Sequence, residues 1–150
     1  MRKSHSETKY GTNFTAVDLG ALCELDDYKF KHPVLPIEIK GKVFLKQILG
    51  LTSSEISLNK MPPGASMPFF HRHRMNEEVY IIIKGHGEFQ IDGEVFPVKE
   101  GTVIRVAPGG GRCWRNNSGE DLYYIVFQAR AGSCEDHTIL DGFRIEESQS

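Results

Sequence analysis

Gly64-Ala65-Ser66-Met67-Pro68-Phe69-Phe70-His71-Arg72-His73-Arg74-Met75-Asn76-Glu77-Glu78-Val79-Tyr80-Ile81-Ile82-Ile83-Lys84-Gly85 couples a His-x-His pair to a carboxylate and then to an apolar run. Residues i and i+2 of an extended chain project to the same side. His71 and His73 therefore share a face, while Arg72 and Arg74 alternate with them and should point away. Glu78 follows five residues after His73, at the start of the apolar run, where a short turn can bring it alongside. Two imidazoles and one carboxylate on one face suit a divalent metal (Fe, Mn, Zn or Ni) and leave coordination positions open for substrate or water. A His-x-His pair alone is more often polar surface than a ligand pair, so the surrounding chain has to be read with it.

On either side the sequence reads as short strands. Upstream are Val43–Leu51 and Glu55–Lys60, separated by Thr52-Ser53-Ser54; downstream come Glu78–Lys84, Glu88–Asp92, Glu94–Val98, Thr102–Val106, Arg112–Arg115, Leu122–Arg130 and a last stretch near Thr138–Ile145. Turn formers divide them, among them Pro62-Pro63-Gly64, Gly85-His86-Gly87 and Pro108-Gly109-Gly110-Gly111. Asp92-Gly93 is a strong two-residue hairpin signal, because a type I′ turn needs positive φ at both central residues. Many short strands with almost no helical periodicity predict an all-β sandwich or closed barrel. Glu78–Ile83 and Leu122–Phe127 are apolar on both faces, which places them between a core and a second layer. That layer is expected from a partner subunit or from the N-terminal arm, and a homodimer is the expected state. Residues 1 to about 13 are polar and read as a mobile arm or a strand added to a partner. The stretch to residue 41 is irregular, with a helical turn expected near Glu24–Tyr28. Residues 1–41 are thus taken as an elaboration of the same domain and 42–150 as the barrel.

The segment from Gly64 to Gly85 resembles the first cupin motif: a glycine, His-x-His, a glutamate a few residues on, and a second glycine. Glu78, rather than Glu77, has the spacing the motif implies from both His73 and Gly85, and Gly64 lies one residue further from His71 than usual. The resemblance covers residues 52 to about 130 and implies a double-stranded β-helix, the jelly-roll barrel of cupins. It also implies one divalent metal ion on His71, His73 and Glu78.

The second cupin motif has a glycine, a short strand, a proline-glycine turn, a histidine and then an asparagine. The matching stretch, Gly101 to Asn117, contains no histidine. Anchored on Pro108, the ligand position falls on Cys113, with Asn117 following; anchored on Gly101, it falls on Arg112, with Asn116 following. A Cys113 thiolate would complete a His₂-Glu-Cys site and favour softer metals such as zinc. Arg112 cannot bind metal, but its fork of donors suits a carboxylate or phosphate. Both registers stand at this stage. Tyr80 shares the predicted inward face of Glu78 and is a candidate ligand contact or a packed aromatic. Arg105 lies in an otherwise apolar strand, as an anion contact in the cavity or as an edge residue reaching solvent. Phe69, Phe89 and Trp114 read as core or pocket wall, His86 as an exposed turn residue, and His5, His32 and His137 receive no role.

The 150 residues fit one domain, and 39% hydrophobic with 25% charged residues is the balance of an ordinary globular protein. A net charge of −2 gives no reason to expect nucleic acid or an anionic membrane as partner. No apolar run reaches the roughly 20 residues needed to span a bilayer, and the N-terminal stretch lacks the apolar core of a secretory signal. Cys23, Cys113 and Cys134 are an odd number without metal-knuckle spacing, which fits a reducing cytoplasm. Three functions follow as expectations. The leading one, which the cupin resemblance implies, is a small metal-dependent enzyme, dioxygenase-like or sugar isomerase-like, acting on a small polar metabolite. The alternatives are a non-catalytic small-ligand-binding or sensor barrel, and a purely structural dimeric barrel.

Overall fold

A computed structural model describes residues 8–136 and 138–146. The chain runs β1 (Thr8–Tyr10), β2 (Thr15–Val17), a 3₁₀ helix (Leu22–Asp27), β3 (Lys29–Lys31), β4 (Glu38–Lys40), β5 (Lys42–Phe44), α1 (Lys46–Leu49), β6 (Glu55–Met61), β7 (Asn76–Lys84), β8 (His86–Ile91), β9 (Glu94–Lys99), β10 (Val103–Val106), β11 (Arg112–Arg115), β12 (Leu122–Arg130) and α2 (Thr138–Asp141). A five-stranded sheet ordered β10-β7-β12-β6-β5 faces a three-stranded sheet ordered β11-β8-β9. All their pairings are antiparallel. This is the double-stranded β-helix expected. Asp92 (φ 49°) and Gly93 (φ 86°) form the predicted tight turn between β8 and β9.

Alternation fixes the two faces. On β7, Glu78, Tyr80 and Ile82 are buried, and Val79, Ile81 and Ile83 only partly so. On β6 the rule inverts: Ser57, Asn59 and Met61 point inward and are buried, and Ile56 and Leu58 point outward. The reason is a second layer. Leu25 and Tyr28 of the N-terminal elaboration pack with Val43, Leu19, Ile48 and Leu58 outside β5 and β6. The arm-or-partner layer is thus N-terminal at this edge, while Val103 on the opposite edge strand and Phe127 on central β12 remain exposed. The main core lies between the sheets, where Tyr80, Ile82, Phe89, Val98, Trp114, Leu122, Tyr124 and Val126 cluster.

Four local expectations are corrected. The strand expected over Val43–Leu51 stops at Phe44, because Lys46-Gln47-Ile48-Leu49 are adequate helix formers closed by left-handed Gly50. The last strand near Thr138–Ile145 is instead the one-turn helix α2, with no regular element over 142–146. Thr8–Tyr10 is no free arm but pairs with Thr15–Val17 of its own chain; residues 1–7, with His5, and His137 lie outside the described residues. The segment carrying His71 and His73 is not a regular strand but is tied to β11 by isolated bridges at Ser66–Arg115 and His71–Arg112. The helical turn expected near Glu24–Tyr28 is present as the 3₁₀ helix. Among the described residues no helix is long and apolar enough to cross a membrane.

Candidate metal centre

Backbone bonds bring the His-x-His segment against β11. His71 and Arg112 exchange both N–H···O bonds, at 3.1 and 3.0 Å, and His73 N–H donates to Pro108 O at 3.0 Å. Glu78 arrives from β7 on the inner face of the opposite sheet. His71 Nε2 lies 3.4 Å and His73 Nε2 2.8 Å from Glu78 Oε1. One ligand atom from each of the three lies within 4.8 Å of the others, the grouping the sequence spacing implied.

Two further groups converge on the same oxygen. Tyr80 Oη–H donates to Glu78 Oε1 at 3.0 Å, and Arg112 Nη2 lies 3.1 Å from it. Arg112 Nε–H donates to Tyr80 Oη at 3.3 Å and Nη1–H to Gly110 O at 2.7 Å. Nη2 is poorly directed for a hydrogen bond, so its contact with Glu78 is ionic. Arg112 is completely buried. Burial pushes the Glu78 carboxyl upward, but the His71 hydrogen bond, His73, Arg112 and Tyr80 together outweigh it and bring its pKa down to about 2. Burial and the adjacent carboxylate raise the Tyr80 phenol far above its ordinary range, so it stays a donor.

The second-motif ambiguity resolves geometrically. Arg112 and Trp114 are the buried residues of β11, whereas Cys113 pairs with Gln90 on the outer face and contacts Met67 O at 3.4 Å. Cys113 therefore stands apart from the cluster, because strand alternation turns it away. Asn116, not Asn117, is the buried asparagine; its Nδ2–H donates to Met61 O and Glu120 O. The register anchored on Gly101 is the one observed. Arg105 is also corrected: it pairs with outward Val79 and makes an exposed ion pair with Glu77. Tyr80 is fully buried, and its hydroxyl sits between Glu78 and Arg112 rather than in open cavity.

The donor set fits a divalent cation. Three ligand atoms share one locus, and the carboxylate among them is held ionised. A fixed positive charge beside the carboxylate makes this a weaker cation site than one with a fourth neutral ligand.

The cluster opens into a cavity of about 260 Å³ whose other walls include Lys42, Ser57, Glu55 and Gln128. None of these was singled out from the sequence. For Ser57 and Asn59 a signal existed: polar residues at alternate positions of a strand are the mark of a polar interior wall. For Lys42 none did, since its place depends on how the edge strand joins the sheet.

Residues 57–127 match the family model for the Cupin domain. A crystallographically characterised cupin protein from Bacteroides fragilis is 39% identical with a TM-score of 0.68, covering 70% of this chain and 89% of that one. An oxalate-binding protein of Thermotoga maritima is 33% identical over 67 residues, 45% of this chain and 54% of its own. An uncharacterized protein of Methanocaldococcus jannaschii is 39% identical over 79 residues, 53% of this chain and 63% of its own. The match therefore spans less than two thirds of either curated relative.

Proposed function

Since the chain belongs to the cupin family, we propose that it is a metal-dependent cupin that holds one divalent ion on His71, His73 and Glu78 and acts on a small polar metabolite, most naturally a carboxylic acid. The observation that carries this reading is the convergence of both imidazole Nε2 atoms on one oxygen of an ionised, buried carboxylate. When bound, the metal supplies polarisation of a substrate oxygen, or activation of water or dioxygen. The chain's own residues do the rest: Arg112 and Tyr80 fix the Glu78 carboxylate, and the cavity walls select what enters. The oxalate-binding relative supports a small acid as ligand. Dioxygenase-like and isomerase-like reactions both remain within this proposal, because the fold does not choose between them.

A second reading, capture of the ligand without turnover, is favoured by one observation: the inward residue of the second motif is Arg112, which takes no part in coordination. We also take the protein to be a cytoplasmic homodimer, the partly covered outer face around Ile81, Ile125 and Val103 being where a second copy would lie.

The test is elemental analysis of protein purified without chelator, beside His71→Ala and Glu78→Ala variants. Near one equivalent of metal in the wild type and none in either variant is expected. Turnover in oxygen-uptake or isomerase assays that disappears in the variants supports the enzyme; ligand binding without turnover supports the capture reading. A wild type that refuses added metal removes the metal-dependent reading.

A further inference from the structure

Lys42 enters the barrel from outside the matched cupin segment. Gly41 turns the chain with φ 80°, and a Cβ there would lie 2.5 Å from Lys60 O, so the tight approach of this turn to β6 requires glycine. The turn sets the register of β5: Val43 pairs with outward Leu58, and Lys42 with inward Asn59. The lysine side chain is thereby sent inside, three strands across the sheet from Glu78.

Its surroundings give the charge no ion-pair partner, although the Phe44 ring lies 4.8 Å from Nζ. Lys42 Nζ–H donates to Asn59 Oδ1 at 2.8 Å and Ser57 Oγ at 3.3 Å, both neutral. Among the described residues no carboxylate forms an ion pair with it. The two acids lining the cavity are otherwise engaged: Glu78 is held by Arg112, and Glu55 accepts the Lys46 backbone N–H at 2.9 Å. Burial lowers the Lys42 pKa to about 8, with Glu78 and Glu55 acting the other way, so the ammonium is charged at neutral pH. A half-buried charge with only neutral partners is left under-compensated until a counter-ion arrives. The cavity, about 260 Å³, lies below the roughly 300–1,000 Å³ usual for drug-sized ligands.

We propose that Lys42 is the anion-binding residue of this cavity and that the ligand is a small dicarboxylate, one carboxylate on the Lys42 ammonium and the other end toward the His71–His73–Glu78 cluster. This deepens the functional reading above and rests on it for the second end of the ligand. Lys42 then acts on specificity from β5, which precedes residues 57–127 matched by the family model.

The test is calorimetric titration of metal-loaded protein with malonate and succinate and with their monoamides, which keep shape and remove one charge. The wild type should prefer the diacid of at least one pair by about tenfold or more, the usual worth of a hydrogen bond to a charged group. Lys42→Met should erase that preference with metal equivalents unchanged, and Lys42→Arg should retain much of it. Should Lys42→Met fail to fold, Lys42→Gln takes its place, since it keeps a donor for Asn59. A wild type without preference, or a preference that survives in the neutral variants, overturns the proposal. The two readings fail separately. Metal bound with preference intact in Lys42→Met sinks this one alone; a Lys42-dependent preference in protein that takes up no metal sinks the metal reading alone.

Discussion

The two ends of the barrel interior are built from the same strands, two to four residues apart, and they are held by different forces. β7 contributes Glu78 to the polar mouth and Ile82 to the apolar floor; β11 contributes Arg112 and then Trp114. At the floor, Trp114 stacks on Phe89 with centroids 5.3 Å apart, and Tyr80 meets both rings edge-on at 5.0 and 5.1 Å. The one polar atom of Trp114 is satisfied, its Nε1–H donating to Tyr124 Oη at 2.9 Å. Stability there is area and packing. At the mouth, two imidazoles, a phenol and a guanidinium share one carboxylate oxygen, and a lysine nearby has only neutral partners. Such an arrangement contributes little to net stability. Its use is to hold charge in place, so neighbouring positions on one strand should report on separate properties.

The largest expected effect is at the floor. Trp114→Ala should destabilise by about 3–5 kcal/mol, because it opens a cavity in the ring stack; urea denaturation measures it, and a loss below about 1 kcal/mol would break the contrast. Two residues away, Arg112→His should reverse the priorities. It removes a fixed charge from beside the carboxylate and adds a fourth potential ligand, so metal affinity should rise at least about tenfold, which 1.4 kcal/mol suffices to give. Competition with a chelator of known affinity checks this, and unchanged or weaker binding would show that Arg112 does not limit the cation. The smallest effect belongs to the outer face: Arg105→Ala loses an exposed pair with Glu77 and should cost about 0–1 kcal/mol with metal uptake unaltered. A larger loss there would mean that polar contacts outside the barrel matter as much as those within.

The fold was legible because its signals are local. The Asp92-Gly93 turn, the strand punctuation and the spacing from His71 to Gly85 each follow from the backbone conformation that short stretches demand. The His-His-Glu grouping was legible for the same reason. What could not be read depends on register and on distant chain. Alternation sends one of Arg112 and Cys113 inward, but only the pairing of β11 with β8 and with His71 says which. Arg105 was open to either face because its strand is apolar; that strand lies at the sheet edge, and the residue reaches solvent on the outer face. Val43–Leu51 has the apolar content of a strand, which masks the local helix signal of Lys46–Leu49 and Gly50, and nothing in it announces that Leu25 and Tyr28 pack over Val43. Ser57 and Asn59 run against the ordinary polarity of a surface strand, because the N-terminal layer covers the face that would otherwise be wet.

Trp114 stands at the border between floor and mouth, stacked on Phe89 on one side and with its ring 5.9 Å from that of His71 on the other. It is the single tryptophan of the chain. The indole emission of this protein therefore originates at one known place, beside a proposed ligand, and the molecule carries its own optical probe of what happens there.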